Sequence, residues 1–436
     1  MPTECDILVI GGGPAGSTAA ALLAERGRDV VLLEKEHHPR FHIGESLLPL
    51  NTAIFDRLGV RDQVAAIGTY KPGAEFVSDD TGKAVQFSFA HGLDKRFTSS
   101  WQVPRAQLDQ ILFRTAAQRG ARTQEGIKVT KFTPGAAHGR AAVEAVGPDG
   151  TVQHFAPRYV LDASGRDTFM ANRSGSKQSN KQNNTAAVYA HFRGVERRSG
   201  EHEGYISVHL AEDGWFWLIP LPNDIMSVGF VGNASAFKGR TGTSRDLLTQ
   251  RIGGAPTVRD RMRHAEMVSD VVGTGNYSYY ADRAQGDGHL LIGDAFAFLD
   301  PMFSSGVLLA MTAGEMGADV ADAWLESPAR GQAKATRMER DIRRAMQRLA
   351  WLVYRINTPA LRFLFMQPSN RFRMRDGLVS LLAGNLRGSW KQVGPVLAFK
   401  SAYYVASAFA RVGLLPPVAA HHASPLLASQ LDGAGD

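Results

Sequence analysis

The chain opens on an apolar run, "CDILVI", followed by the small-residue stretch "GGGPAGSTAAALLAERG" and a second apolar run, "RDVVLLEK". Short runs without alternation suit strands buried on both faces, and the stretch between them is long enough for a helix. This predicts a βαβ unit whose first strand begins by Cys5 and whose helix stops at Gly27. From about Phe76 to Val160, short strand patterns surround a helix predicted from Pro104 to Arg119, the signature of a mixed insertion building a second sheet. "NRSGSKQSNKQNN", Asn172 to Asn184, lacks apolar periodicity and predicts a loop. Alternation resumes from Ala186 to Phe230. Within it, "DGWFWLIPLPNDIMSVGF" puts Trp215 and Trp217 on one strand face and Phe216 and Leu218 on the other, with Pro220 ending the ladder. "GHLLIGDA" predicts a short buried strand and a turn, and "GVLLAMTAGEMGADVADAWL" a closely packed helix. The chain is predominantly helical from about Gln332, with breaks at Pro359 and Pro368. The tail from His421 is expected to be loosely held.

At 436 residues the chain can bury a large core. Its single cysteine, Cys5, excludes an internal disulfide or a cysteine-rich metal cluster, and no metal site is expected. One cysteine fits a reducing cytoplasm. With the first strand expected to begin by Cys5, no signal peptide is expected. "VGPVLAFKSAYYVASAFARVGLL" is interrupted by Lys400 and Arg411 and reads as a packed or surface helix, so no transmembrane segment is expected. The net charge of +7 comes with arginine far outnumbering lysine. No basic run interleaved with aromatics points to nucleic acid, and a nucleotide cofactor or an acidic partner accounts for the charge more simply.

Gly11, Gly13 and Gly16 have the dinucleotide-fingerprint spacing between a strand and a helix. Their roles would be a tight turn, close approach to a pyrophosphate, and close helix-to-sheet packing, with Glu34 placed to bind ribose hydroxyls. Ala15 and Lys35 belong to the same candidate cofactor set. A glycine-rich turn without a ligand is the alternative. "LLIGDAFAFLDPMFSSGV" adds Asp294 at a strand end, placed to bind a ribityl hydroxyl, and a helix start suited to the pyrimidine side of a flavin. Two distant segments closing on one elongated cofactor favour FAD over NAD.

Together the fingerprint, "FHIGESLLP" from Phe41, "DASG" from Asp162 and "GDA" from Gly293 resemble the flavin monooxygenase fold of aromatic hydroxylases, geranylgeranyl reductase-like enzymes and flavin-dependent halogenases. The resemblance covers most of residues 1–320. It implies an α/β fold with an FAD-binding Rossmann-like domain of the aromatic hydroxylase type at 1–330. A mixed β-sheet substrate region would be inserted at about 71–105 and 175–280, and a helical C-terminal extension would occupy 331–436. Ser46 would then lie near the isoalloxazine and Arg105 would contact the cofactor, unless Arg105 is an exposed residue at a helix N-terminus.

"GWFWLIP" resembles the Trp-x-Trp-x-Ile-Pro motif of the halogenase branch, and "FLDPMFSSGV" resembles its second signature at Phe298, Pro301, Ser304 and Gly306. Ser305 and Gly306 match the pair whose amides hold the halide, and Gly306 also adjoins the cofactor. Lys71, in "TYKPGAEFV", matches the family's catalytic lysine. Pro72 and Gly73 would aim its amine inward from a strand start.

The resemblance implies FAD reduced by a separate flavin reductase, a flavin hydroperoxide, and halide oxidised to hypohalous acid. Lys71 would then hold that acid, or form a haloamine, beside an electron-rich phenol or pyrrole, in antibiotic or pigment biosynthesis. Trp215 and Trp217 would form a barrier between flavin and substrate. Phe303 stands where the tryptophan-halogenating branch has an acid, so the chain resembles the phenol and pyrrole branch, whose substrates often ride on acyl or peptidyl carrier proteins. "VYRINTPALRFLF" and "LLAGN" carry the same likeness. Arg337, Arg340, Arg343, Arg344 and Arg348 are either a docking face for an acidic carrier or a solvated basic face. A single-component hydroxylase, a prenyl or polyene reductase and a non-catalytic flavoprotein remain as alternatives.

Overall fold

The computed structural model describes residues 1–414 except 136–137, 181–184, 212, 238–241, 276–277, 357 and 387–389. The first apolar run forms the strand Thr3–Ile10, which begins two residues before Cys5. It pairs in parallel with Val30–Leu33 on one side and Val152–Asp162 on the other, with Leu8 opposite Val31 and Val160. His289–Leu291 and Arg122–Gln124 extend this parallel core at its two ends. The helix Pro14–Glu25 follows Gly13, has proline in its first turn, and is ended by Gly27 at φ 78°. Gly306–Glu326 packs on it closely enough that a Cβ on Gly314 would lie 2.5 Å from the Ala15 carbonyl oxygen. Small residues there bring two helix N-termini to one end of the sheet.

The second sheet runs Glu266–Met267, Thr185–Arg193, Ile225–Asn233, Gly214–Pro220, Ile206–Leu210, Gly73–Ser78, Ala84–Ser88. The alternation expected of the tryptophan strand is present. Trp215, Trp217 and Ile219 face one apolar cluster, and Phe216 and Leu218 the opposite one. Trp217 lies across Gly229 on the neighbouring strand, where a Cβ would come within 2.2 Å of its ring. Its Nε1 donates to Ser227 Oγ at 3.2 Å. The helices Pro328–Val353, Pro359–Met366, Met374–Leu382 and Trp390–Arg411 cover this tryptophan face through Leu352, Phe365, Leu378 and Phe399.

Three local readings change. The strands Arg122–Gln124, Lys128–Thr133, Ala142–Val146 and Val152–Asp162, expected within an insertion that builds the second sheet, belong to the first sheet instead, through parallel partners far along the chain. The segment expected to be a loop from Asn172 contains the end of the helix Phe169–Arg173 and the strand Lys177–Ser179, paired with Tyr279–Ala281; residues 181–184 of it are outside the described residues. A partner about a hundred residues away leaves no trace in local periodicity. Pro359 begins a helix rather than only breaking one, as its missing N–H allows. The tail from His421 lies outside the described residues.

Candidate functional site

A cavity of about 640 Å³ lies between the two sheets and is lined by both. One end is built by the first βαβ unit. Gly11 has φ 101°, and a Cβ on Gly16 would lie 2.0 Å from the Gly11 carbonyl oxygen, so the turn requires both glycines. Gly13 and Ala15, at the start of the helix, also line the cavity and leave helix amides facing it. Glu34 follows the second strand. Its Oε2 accepts from the Gly12 amide at 2.8 Å and its Oε1 from the Glu36 amide at 3.0 Å. Arg40 pairs with the same carboxylate at 3.3 Å. Oε2 thus has two donors, and Oε1, with one, keeps a lone pair for a hydroxyl. At the opening, Lys35 Nζ reaches Asp167 at 2.5 Å.

Arg105 is buried, not exposed at its helix start. It pairs with both Asp109 oxygens, at 3.0 and 3.1 Å, and donates to the Ile43 carbonyl at 2.6 Å, tying the segment around Gly44 to the helix Arg105–Gln118. Burial opposes the Asp109 charge, but Arg105 and Arg40 outweigh it and hold the carboxyl below its usual range. Asp294 sits in the turn after His289–Leu291 and faces the cavity. Its surroundings push its pKa up to about 6, with Arg105 and Arg166 opposing the effect of burial.

The other end is apolar. Trp215, Trp217 and Ile219 from the tryptophan strand, with Ile206, Phe298 and Met302, form its wall, and the two indole centroids are 5.9 Å apart. Ser304, at φ 55°, turns the chain into the helix that begins at Gly306. Gly306 lines the cavity, and a Cβ there would meet only Phe298 at 3.5 Å. Ser305, the residue before the helix, is buried behind it.

Lys71 ends the short strand Thr69–Lys71, rather than starting one, and its side chain points inward. Only 1 % of it is exposed. Nζ donates to Ser46 Oγ and to the Leu47 carbonyl, both at 2.8 Å, and lies 5.4 Å from the Phe89 ring centroid. Burial pulls its pKa down to about 7, and no acid among the described residues pairs with it. Ser46 lines the cavity, so the amine stands one side chain behind the wall. Phe303 does not line the cavity and packs against Phe76, at 6.4 Å between centroids.

Several lining residues were not singled out in the sequence. Arg40 joins Glu34 to Asp109, and Glu45 contacts His191 at 2.8 Å. Burial and then Arg105 lower the pKa of His42 to about 4. These residues lie in or beside "FHIGESLLP", but Asp109, His191 and Arg105, which give them meaning, come 69, 146 and 63 residues after Arg40, Glu45 and His42, and no local spacing signals them.

A family model described as an FAD binding domain matches residues 4–345. The fold and cavity therefore define an FAD-binding flavoprotein, and the fit is physical. A carboxylate suits the ribose diol, a helix N-terminus suits the pyrophosphate, Asp294 suits a ribityl hydroxyl, and an apolar chamber suits the ring system. Among named relatives, a "tryptophan 2-halogenase" of Chondromyces crocatus is 35% identical over 320 residues, covering 71% of this chain and 60% of that protein. A "1H-pyrrole-2-carbonyl-[peptidyl-carrier protein] chlorinase" of Pseudomonas fluorescens is 30% identical over 345 residues, covering 72% of this chain and 74% of that protein. The solved structure of the flavin-dependent brominase Bmp2 is 26% identical, with a TM-score of 0.82 over 94% of this chain and 100% of that one. The chain belongs to the flavin-dependent halogenase family. It spans 60%, 66% and 65% of the lengths of three curated relatives it matches.

One consequence concerns cofactor binding alone. Gly16→Val should yield protein with at least about tenfold less bound flavin, because the new Cβ meets backbone that cannot move aside without opening the sheet. The yellow absorbance per purified chain measures it. Wild-type flavin content in the variant would show that this turn does not hold the cofactor.

Proposed function

We propose that this protein halogenates an electron-rich aromatic ring, phenolic or pyrrolic, using chloride or bromide and FAD that a separate flavin reductase supplies in reduced form. The observation that carries the reading is the Lys71 amine, buried, uncompensated by an acid, and hydrogen-bonded to Ser46 in the cavity wall. When bound and reduced, FAD supplies the activation of dioxygen through which halide is oxidised to hypohalous acid. The rest of the chemistry falls to side chains and amides of this chain.

The amides at Ser305 and Gly306, at the N-terminus of a 21-residue helix, favour an anion. Trp215 and Trp217 keep the ring out of the cofactor chamber and let only a small oxidant pass, which also limits damage to methionine and tryptophan elsewhere. With a pKa of about 7, Lys71 is substantially neutral near pH 7 and has a lone pair. An N–halogen bond forms as the halogen–oxygen bond breaks, and the oxygen leaves as water with an amine proton. The ring carbon then takes the halogen, and the nitrogen takes back the ring proton. This return closes the cycle without the carboxylate that Phe303 replaces. Used only as a hydrogen-bond donor, the same amine would orient the hypohalous acid instead. Both routes need it in this place.

The pyrrole chlorinase similarity supports a substrate carried on a carrier protein. Arg337, Arg340 and Arg344 are exposed and available to dock one. Arg343 and Arg348 are not, because they donate to the Ala281 and Leu386 carbonyls respectively. We assign cofactor, halide and substrate-wall residues to 1–330, with the second sheet as the substrate side, and a covering role to the helices beyond. No helix among the described residues is long and apolar enough to cross a membrane, and the cytoplasm, where NADH-dependent reductases operate, is the assigned compartment.

The test supplies FAD, NADH, an unrelated flavin reductase, bromide, and free and carrier-bound phenols and pyrroles. A product with the bromine isotope pattern, absent when bromide is omitted, is expected. Hydroxylated product with rapid NADPH oxidation and no reductase would identify a single-component hydroxylase, and anaerobic alkene saturation a reductase.

A further inference from the structure

The charge of this protein is concentrated in one part of it. Residues 342–414 hold twelve of the 49 basic residues and only one of the 42 acidic ones, Asp376, so the remainder of the chain is net negative although the whole is +7. Among the described residues, that segment also carries seven of the thirteen large exposed apolar side chains. The 22-residue helix Trp390–Arg411 has no acidic residue. Leu397, Ser401, Tyr404, Val405 and Ala408 fall within about 100° of its arc, and all five are exposed, as is Val412 just beyond its end. Leu397, Tyr404 and Val405 are each 56 % exposed. Lys400 and Arg411 border this apolar arc on one side.

Beside the helix, and packed against it, is the turn Arg371–Arg373. Phe372 and Arg373 both take left-handed conformations, at φ 52° and 58°, which present the Phe372 ring outward at 82 % exposure between two exposed arginines. On the Lys400 side of the helix, Trp351 meets Tyr403 and Tyr404, with Arg355 and Lys400 over the indole at 5.2 and 4.9 Å.

We propose that the outer face of Trp390–Arg411, with the Phe372 knuckle, docks on an anionic lipid surface. The feature is a convex ridge of aliphatic and aromatic side chains bordered by cations, the arrangement of a helix lying in a membrane interface. Tyr and Trp at its edge suit the headgroup level. A second copy of this chain is disfavoured, because a symmetric contact would set two strongly cationic segments against each other. An acidic protein would satisfy the charge, but a ridge of protruding apolar side chains offers it no groove and few hydrogen-bonding groups, whereas lipid deforms around them. A peripheral contact of this kind needs no spanning helix. The inference stands independently of the halogenase reading, since it concerns binding alone.

The test mixes FAD-loaded protein with sedimenting vesicles of phosphatidylcholine, with and without phosphatidylglycerol. At low salt the anionic vesicles should bind at least about tenfold more protein than the neutral ones, with binding falling as salt rises. Phe372→Ser with Tyr404→Ser should lower binding about tenfold while leaving flavin content and oligomeric state unchanged, since both side chains are on the surface. Arg371→Glu with Arg411→Glu should abolish the preference for phosphatidylglycerol. No binding, equal binding to both vesicle types, or full binding by the double-serine variant would overturn the proposal. Saturable binding of an acidic carrier protein through these residues without vesicle binding, or self-association lost in the same variants, would also overturn it.

Discussion

Lys71→Met is expected to keep its FAD and lose ring halogenation by at least about a thousandfold, a loss of roughly 4 kcal/mol of transition-state stabilisation. The substitution leaves Gly11, Gly16 and Glu34 untouched, so flavin content should be unaffected. Methionine fills the space of the lysine stem but carries no lone pair for a halogen and no donor for hypohalous acid. The wild-type rate should rise with pH through about 7 as the amine loses its proton, and the variant's residual rate should lack that limb.

Stability separates this loss from unfolding. The Lys71 pKa is lowered from 10.5 to about 7 by burial, so between those values the unfolded chain holds a proton that the folded one does not. Wild-type stability therefore contains a component that grows as pH rises from 7 towards 10.5 and is absent below 7. That growth is the relief of the buried charge's cost, which Lys71→Met removes at every pH, against two lost hydrogen bonds to Ser46 and Leu47. Its melting temperature at pH 7 should equal or exceed that of the wild type. A variant that melts many degrees lower would make the lysine structural.

The second large effect belongs to the tryptophan wall. Trp215→Leu with Trp217→Leu keeps an apolar face but opens the barrier and removes the Trp217–Ser227 hydrogen bond. We expect halogenated product per NADH to fall about tenfold while oxygen consumption continues, with hypohalous acid trapped in bulk by a thiol and some hydroxylated product. A stability loss of about 2–5 kcal/mol is also expected for two truncated core aromatics, so the assay belongs at a temperature where circular dichroism shows the variant folded. Unchanged coupling in folded variant would mean that the pair serves only the core.

The elements carrying strong local signals were legible: the glycine-rich βαβ unit, the tryptophan strand with its two faces, and the helix after "FSSG". The turn at Gly11 and Gly16 was legible because a φ near 100° and a backbone approach of 2.0 Å admit nothing larger. Trp215 and Trp217 are read correctly because period-two alternation fixes which side chains share a face. The strand Lys177–Ser179 was not, since its partner lies far along the chain. Arg105 shows the limit of local reading most clearly. At a helix start it has no local reason to be buried, and only Asp109 and the Ile43 carbonyl together make its burial tolerable. The inward direction of Lys71 was legible from "TYKPG", but its environment was not. The depressed pKa follows from Ser46, Leu47 and Phe89 closing around the amine without an acid.

The most direct test compares wild type and Lys71→Met at equal bound flavin, reductase, NADH and bromide, and records the mass spectrum of the aromatic product. The bromine isotope doublet should dominate in the wild type and be missing from the variant, while both consume oxygen at similar rates. An equal doublet from both proteins would contradict the central claim that halogen reaches the ring through this buried amine.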